Sequence, residues 1–98
     1  TKINKVRIKP GMILSNEPGY YKKNHFGIRI ENLVYVDEKK GKLFFKNLTM
    51  APIEKDLINF NLLTVSEKNY LFIYHLDVYL KISKYLNQNE KNWLASLI

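Results

Sequence analysis

The chain has 98 residues, of which 46% are hydrophobic and 26% charged, and no cysteine. That length holds one small domain, the composition is that of a folded chain, and neither a disulfide framework nor a thiolate metal site is available. The formal net charge of +7 invites a nucleic-acid reading, but arginine occurs only at positions 7 and 29 and the lysines are scattered in ones and twos, so nucleic-acid binding is not expected.

Lys2, Lys5, Arg7 and Lys9 have no uninterrupted apolar core behind them, so the start does not read as a signal peptide. Val6 and Ile8 alternate with charged residues, which predicts a strand, and Pro10-Gly11 breaks it. Met12-Ile13-Leu14 opens a second strand, which Asn16-Glu17-Pro18-Gly19 interrupts, because Pro18 cannot donate to a ladder and Gly19 permits a turn. Phe26 to Val36 is rich in β-branched residues and predicts the best strand of the chain. Alternation puts Ile28, Ile30, Asn32, Val34 and Val36 on one face of it, and Arg29, Glu31, Leu33 and Tyr35 on the other.

After a polar turn at 37–42, Leu43-Phe44-Phe45 and Leu48-Thr49-Met50-Ala51 predict two further short strands, the second closed by Pro52. Thr64-Val65-Ser66-Glu67 has the capping-box pattern that starts a helix. Leu71, Tyr74, Val78, Ile82 and Tyr85 then recur at helical spacing beside a second stripe, Phe72, Leu76, Tyr79 and Leu80. A helix so apolar around its girth needs cover on more than one side, which predicts association with a further surface. The stretch Tyr70–Leu86 carries His75, Asp77, Lys81 and Lys84 and is shorter than the roughly 20 residues of a membrane span. Asn87-Gln88-Asn89 ends the helix, and the residues from Asn89 to Leu94 start a short final one. The fold class expected is α+β: antiparallel strands over about 6–51, a long helix over about 65–86, and a short last helix.

Glu17 and Glu31 are the candidates for chemistry. Glu31 sits between Ile30 and Leu33, where an unpaired charge is costly to bury, and Arg29 on the same face could neutralise it. A hard divalent cation could do so more fully. Pro18 restricts Glu17 to an extended backbone, and antiparallel pairing of 12–17 with 28–36 would bring the two carboxylates together. A solvated strand face carrying Arg and Glu has the same appearance, so residue pattern alone leaves both readings open.

The stretch Pro10-Gly11-Met12-Ile13-Leu14-Ser15-Asn16-Glu17-Pro18-Gly19-Tyr20-Tyr21, followed by Gly27-Ile28-Arg29-Ile30-Glu31-Asn32, resembles the end of the catalytic domain of aminopeptidase P, a metallopeptidase family with the pita-bread fold. Leu48-Thr49-Met50-Ala51-Pro52-Ile53, Asn61-Leu62-Leu63-Thr64, Tyr74-His75 and Trp93-Leu94 resemble the C-terminal extension of its long members. The resemblance implies that residues 1–53 end the catalytic domain and 54–98 form the helical extension, in one compact unit. It implies two divalent metal ions in the complete enzyme, manganese first, with zinc or cobalt as alternatives. Glu17 would bind one metal and help accept the proton of the bridging water, Glu31 would bridge both, and Arg29 and Tyr21 would orient them.

The family site takes two aspartates, a histidine and two glutamates. Neither His25 nor His75 supplies the histidine, and Asp37, Asp56 and Asp77 match no ligand motif. The chain alone is therefore expected to bind metal weakly or not at all and to lack peptidase activity. The resemblance further implies peptides with proline at the second position as substrates and a homodimer through the extension, while the start of the chain and its short apolar stretch make a cytoplasmic protein with no membrane association the expectation. The competing reading is a non-catalytic pita-bread relative, or a degraded gene product, acting as a binding or dimerisation module.

Overall fold

A computed structural model describes residues 5–98; Lys2 and the first four residues of the expected 1–53 segment lie outside them. The chain divides into two compact units, the first ending at Thr49 and the second running Met50–Ile98. The architecture is antiparallel strands followed by a long and a short helix, the expected α+β class.

In the first unit β1 (Ile13–Asn16), β4 (Asn32–Lys39) and β5 (Lys42–Asn47) form an antiparallel sheet in the order β1-β4-β5. β2 (Gly19–Lys22) and β3 (Phe26–Arg29) form a two-stranded sheet of their own. Local chemistry sets the turns. Pro10 and Gly11 occupy the corners of a turn closed by Met12 N–H on the Lys9 carbonyl at 3.3 Å, and Gly11 has the positive φ of 85° that a type II turn requires. Lys40 and Gly41, with φ of 52° and 75°, make the two-residue link whose twist matches paired strands.

Strand boundaries differ from the sequence reading in three places. Residues 5–9 join no ladder. The predicted Phe26–Val36 strand is divided between β3 and β4 at Ile30-Glu31, across from Pro18. Only one strand, β5, follows the polar turn, because Thr49 ends the ladder: its hydroxyl oxygen accepts the Leu33 N–H at 2.8 Å, where a backbone carbonyl would otherwise continue the pairing.

The second unit is built on α1 (Val65–Ile82), followed by a single 3-10 turn at Ser83–Tyr85 and then by α2 (Gln88–Ser96). Each helix begins with a capping box, Thr64 with Glu67 and Asn87 with Glu90. Leu71, Tyr74, His75 and Val78, at i, i+3, i+4 and i+7, are the buried stripe of α1, and Leu94 is the buried residue of α2. Two side-chain bonds fasten the entering segment to α1: the Tyr74 hydroxyl donates to the Ala51 carbonyl at 2.6 Å, and the Ile53 N–H donates to His75 Nε2 at 3.0 Å.

Much apolar surface is uncovered. The accessible area is 8550 Å² for 11.6 kDa, whereas two independent compact units of half that mass would expose roughly 7,000 Å². Phe72, Ile73 and Leu80 on α1 are each more than half exposed. Among the described residues no helix is long and apolar enough to cross a membrane.

Candidate functional site

Glu17 follows β1 and Glu31 precedes β4, so neither lies inside a ladder. Their relation is fixed by what flanks them. Asn16 pairs with Asn32 on one side and Gly19 with Arg29 on the other, and between them the Ile30 N–H donates to the Pro18 carbonyl at 3.1 Å. Counting inward from either pair brings Glu17 opposite Glu31. β1–β2 and β3–β4 therefore form one antiparallel ribbon in a single register, interrupted where Pro18 has no N–H to return to the Ile30 carbonyl.

Directly opposed residues of such a ribbon have Cβ atoms about 5 Å apart and share a face. Two carboxylates so placed repel each other unless a cation stands between or beside them. Arg29 supplies part of that charge: its Nε lies 3.7 Å from Glu31 Oε2, with the two side chains 52% and 43% exposed. An ion pair so open to water contributes at most about 1 kcal/mol. Among the described residues no ion pair reaches Glu17.

Period-two alternation puts Glu17, Gly19 and Tyr21 on one face of the first strand, and Gly27, Arg29 and Glu31 on the same face of the second. An open depression is lined by Tyr21, Gly27, Ile28, Arg29 and Glu31, with Glu17 across the ribbon from Glu31. The two glycines carry a signal that the motif reading did not use, that of glycine inside a strand where another group approaches closely. The group is Tyr21. A Cβ added at Gly27 would lie 2.6 Å from Tyr21 Cδ1, and one added at Gly19 would lie 2.7 Å from its hydroxyl oxygen. The ring lies along the ribbon with its hydroxyl toward the Arg29 row.

The donor set fits a hard divalent cation in kind, being carboxylate oxygen with an excess of negative charge at the Glu17–Glu31 row. It does not fit in number: among the described residues no group of three or more His, Cys, Asp or Glu side chains could hold a metal ion. His25 sits at the tip of the β2–β3 hairpin with Nδ1 2.9 Å from the Lys23 carbonyl. His75 is buried on α1, where burial above all, with a smaller contribution from the Lys55 charge, holds its pKa below the ordinary histidine value. Asp37 pairs with Lys46 at 3.0 Å and Asp77 with Lys81 at 2.9 Å, while Asp56 is exposed in the second unit.

Comparison with known proteins gives the family. Residues 1–38 match the model of metallopeptidase family M24, and residues 41–97 match the model of the C-terminal region of peptidase M24. The chain is 46% identical to a probable Xaa-Pro aminopeptidase P of Coprinopsis cinerea over 96% of its own length and 16% of that protein. It is 42% identical to one of Laccaria bicolor over 94% of its length, again 16% of the relative. Among solved structures it is similar to an X-prolyl aminopeptidase from Caenorhabditis elegans, described as a cytosolic enzyme with a di-nuclear active site. The TM-score is 0.78 at 33% identity, over 92% of this chain and 16% of that one. The chain thus spans about a sixth of the length of the relatives it matches.

Proposed function

Because this chain belongs to metallopeptidase family M24, and carries the C-terminal region of an aminopeptidase P, we propose that it supplies two metal-binding carboxylates to a dinuclear enzyme releasing the N-terminal residue from peptides with proline in second position. The observation that carries this reading is the opposed pair Glu17 and Glu31 with Arg29 on the second carboxylate. Residues to about 53 end the catalytic domain and 54–98 are its helical extension.

Glu17 and Glu31 would hold the two cations, manganese ahead of zinc or cobalt, with Glu31 shared between them and Glu17 also placed to take a proton from the attacking water. When bound, two divalent ions would supply a water of lowered pKa and polarise the scissile carbonyl. Arg29 holds the Glu31 carboxylate in orientation from beside it, and Tyr21 presents its hydroxyl along the same face. The aspartates and the histidine of the site come from elsewhere in the complete protein, so the 98 residues alone do not hydrolyse peptides. The exposed flank of α1 pairs with a second copy, giving a homodimer. The similarity to an enzyme described as cytosolic supports a cytoplasmic location.

The test is a chimaera in which this chain replaces the matching C-terminal sixth of the Coprinopsis relative. Metal-dependent cleavage of an Xaa-Pro peptide is expected, with Glu31→Gln or Glu17→Gln abolishing it and the 98-residue chain inert by itself. Full activity in the Glu31→Gln chimaera would sink the proposal. The competing reading is a non-catalytic relative acting as a binding or dimerisation module. An inert but folded chimaera would choose it.

A further inference from the structure

Gly19 and Gly27 are glycines for a reason other than backbone conformation. The positive-φ glycines are Gly11 and Gly41. Gly19 and Gly27 lie in paired strands, at backbone angles open to any residue, where glycine weakens a strand relative to a β-branched side chain. What alanine would meet there is the ring of Tyr21. Its Cδ1 is 2.6 Å and its Cε1 3.1 Å from a Cβ at Gly27, and its hydroxyl oxygen is 2.7 Å and its Cε2 2.9 Å from a Cβ at Gly19. Gly27 is the cross-strand partner of Tyr21, and Gly19 is two residues before it on the same face. Tyr21 is about two-thirds exposed.

We infer that Gly19 and Gly27 form a floor that sets the direction of Tyr21, making them positioning residues for its hydroxyl. The base of the ring rests over Gly27 and the hydroxyl over Gly19, next to the Gly19–Arg29 row and one row short of Glu17 and Glu31. Gly27 is the more sensitive of the two. A Cβ there meets the ring near its root, where rotation of the hydroxyl end brings no relief, so the whole ring must swing off the ribbon. The catalytic meaning of this direction rests on the function proposed above. The floor itself does not.

The experiment reads ring position in the 98-residue chain by the ring-current shift of the Gly19 and Gly27 α-protons in NMR spectra. An upfield shift at both glycines is expected, kept in Tyr21→Phe, lost in Tyr21→Leu, and lost at Gly19 in Gly27→Ala while the β2–β3 amide pairing stays intact. A Gly19 shift that survives Gly27→Ala, or that is absent from the parent chain, overturns the inference. If Gly27→Ala unpairs the hairpin, the Gly27→Ala/Tyr21→Leu double variant decides: re-pairing supports a clash with the ring, and failure to re-pair refutes it. In the chimaera, Gly27→Ala should lower kcat by about ten- to a hundredfold, with Tyr21→Leu adding little on top. Losses that multiply would refute the positioning role. An inert parent chimaera instead refutes the proposed function, and leaves the ring-current result standing.

Discussion

Replacing His75 with leucine should free the segment that leads into the second unit, and the size of the effect follows from one hydrogen bond. His75 Nε2 accepts the Ile53 N–H at 3.0 Å, while the neighbouring Tyr74 hydroxyl donates to the Ala51 carbonyl two residues earlier. Leucine keeps the apolar fill but leaves the Ile53 N–H without its acceptor, a cost of about 1–3 kcal/mol, toward the lower end because Ile53 is only half-buried and can turn to water. Tyr74→Phe removes the other bond for about 1 kcal/mol. The two losses should not add, since both bonds hold the same three residues. The assay is hydrogen exchange of the Ile53 amide, whose protection should fall roughly fivefold for each 1 kcal/mol. The pH dependence gives a second check. His75 has its folded pKa lowered by burial and by Lys55, so the unfolded chain binds a proton first as pH falls. The contribution of the neutral ring is complete above about pH 6.5 and is lost as pH drops through the lower folded value. Once charged, Nε2 bears a proton and cannot accept from Ile53. Protection of Ile53 that is independent of pH over this window, after correction for intrinsic exchange, would show that the bond does not hold the segment.

Three other outcomes are expected. Manganese titration of the chain, followed by electron paramagnetic resonance, should show weak binding that Glu17→Gln or Glu31→Gln each weakens on the order of tenfold, because affinity follows the number of charged oxygen ligands; equal binding by both variants would count against the opposed pair. Asn87→Ala removes the side chain that accepts the Glu90 N–H at 2.9 Å and should cost about 0.5–2 kcal/mol, read as a lower thermal midpoint by circular dichroism. Gly41→Ala forces a Cβ onto a residue at φ 75° with open space around it, so a loss of about 1–2 kcal/mol in denaturant unfolding would come from backbone strain alone.

The parts of this chain that were readable in its sequence are those whose partners are near in sequence. Thr64 and Glu67 are three residues apart, and their box forms as the pattern requires. Asn87 and Glu90 carry the same pattern, yet reading Asn87 as the end of one helix hid its role as the start of the next. The division of the best strand at Ile30 is invisible along that strand, because its cause is the missing N–H of Pro18 across the ribbon. Thr49 ends a ladder by bonding a residue sixteen positions away, and His75 finds its donor twenty-two positions away. Of the site, the relation of Arg29 to Glu31 followed from strand parity. The glycine floor did not, since it appears only when the ring of Tyr21 is placed on both strands.

A single register running from Ile13 to Tyr35 limits which insertions and deletions this stretch can absorb. Loss of one residue from β1 forces a choice, because side chains alternate faces: either Ile13 and Leu14 keep their places, or Glu17 keeps its place opposite Glu31. The tip at residues 23–25 lies beyond the last pair, Lys22 with Phe26, and extra residues there disturb nothing on the glutamate side. Changes of length should therefore be borne at the hairpin tip, in odd or even steps alike, and should be destructive between Ile13 and Tyr21 and between Gly27 and Tyr35.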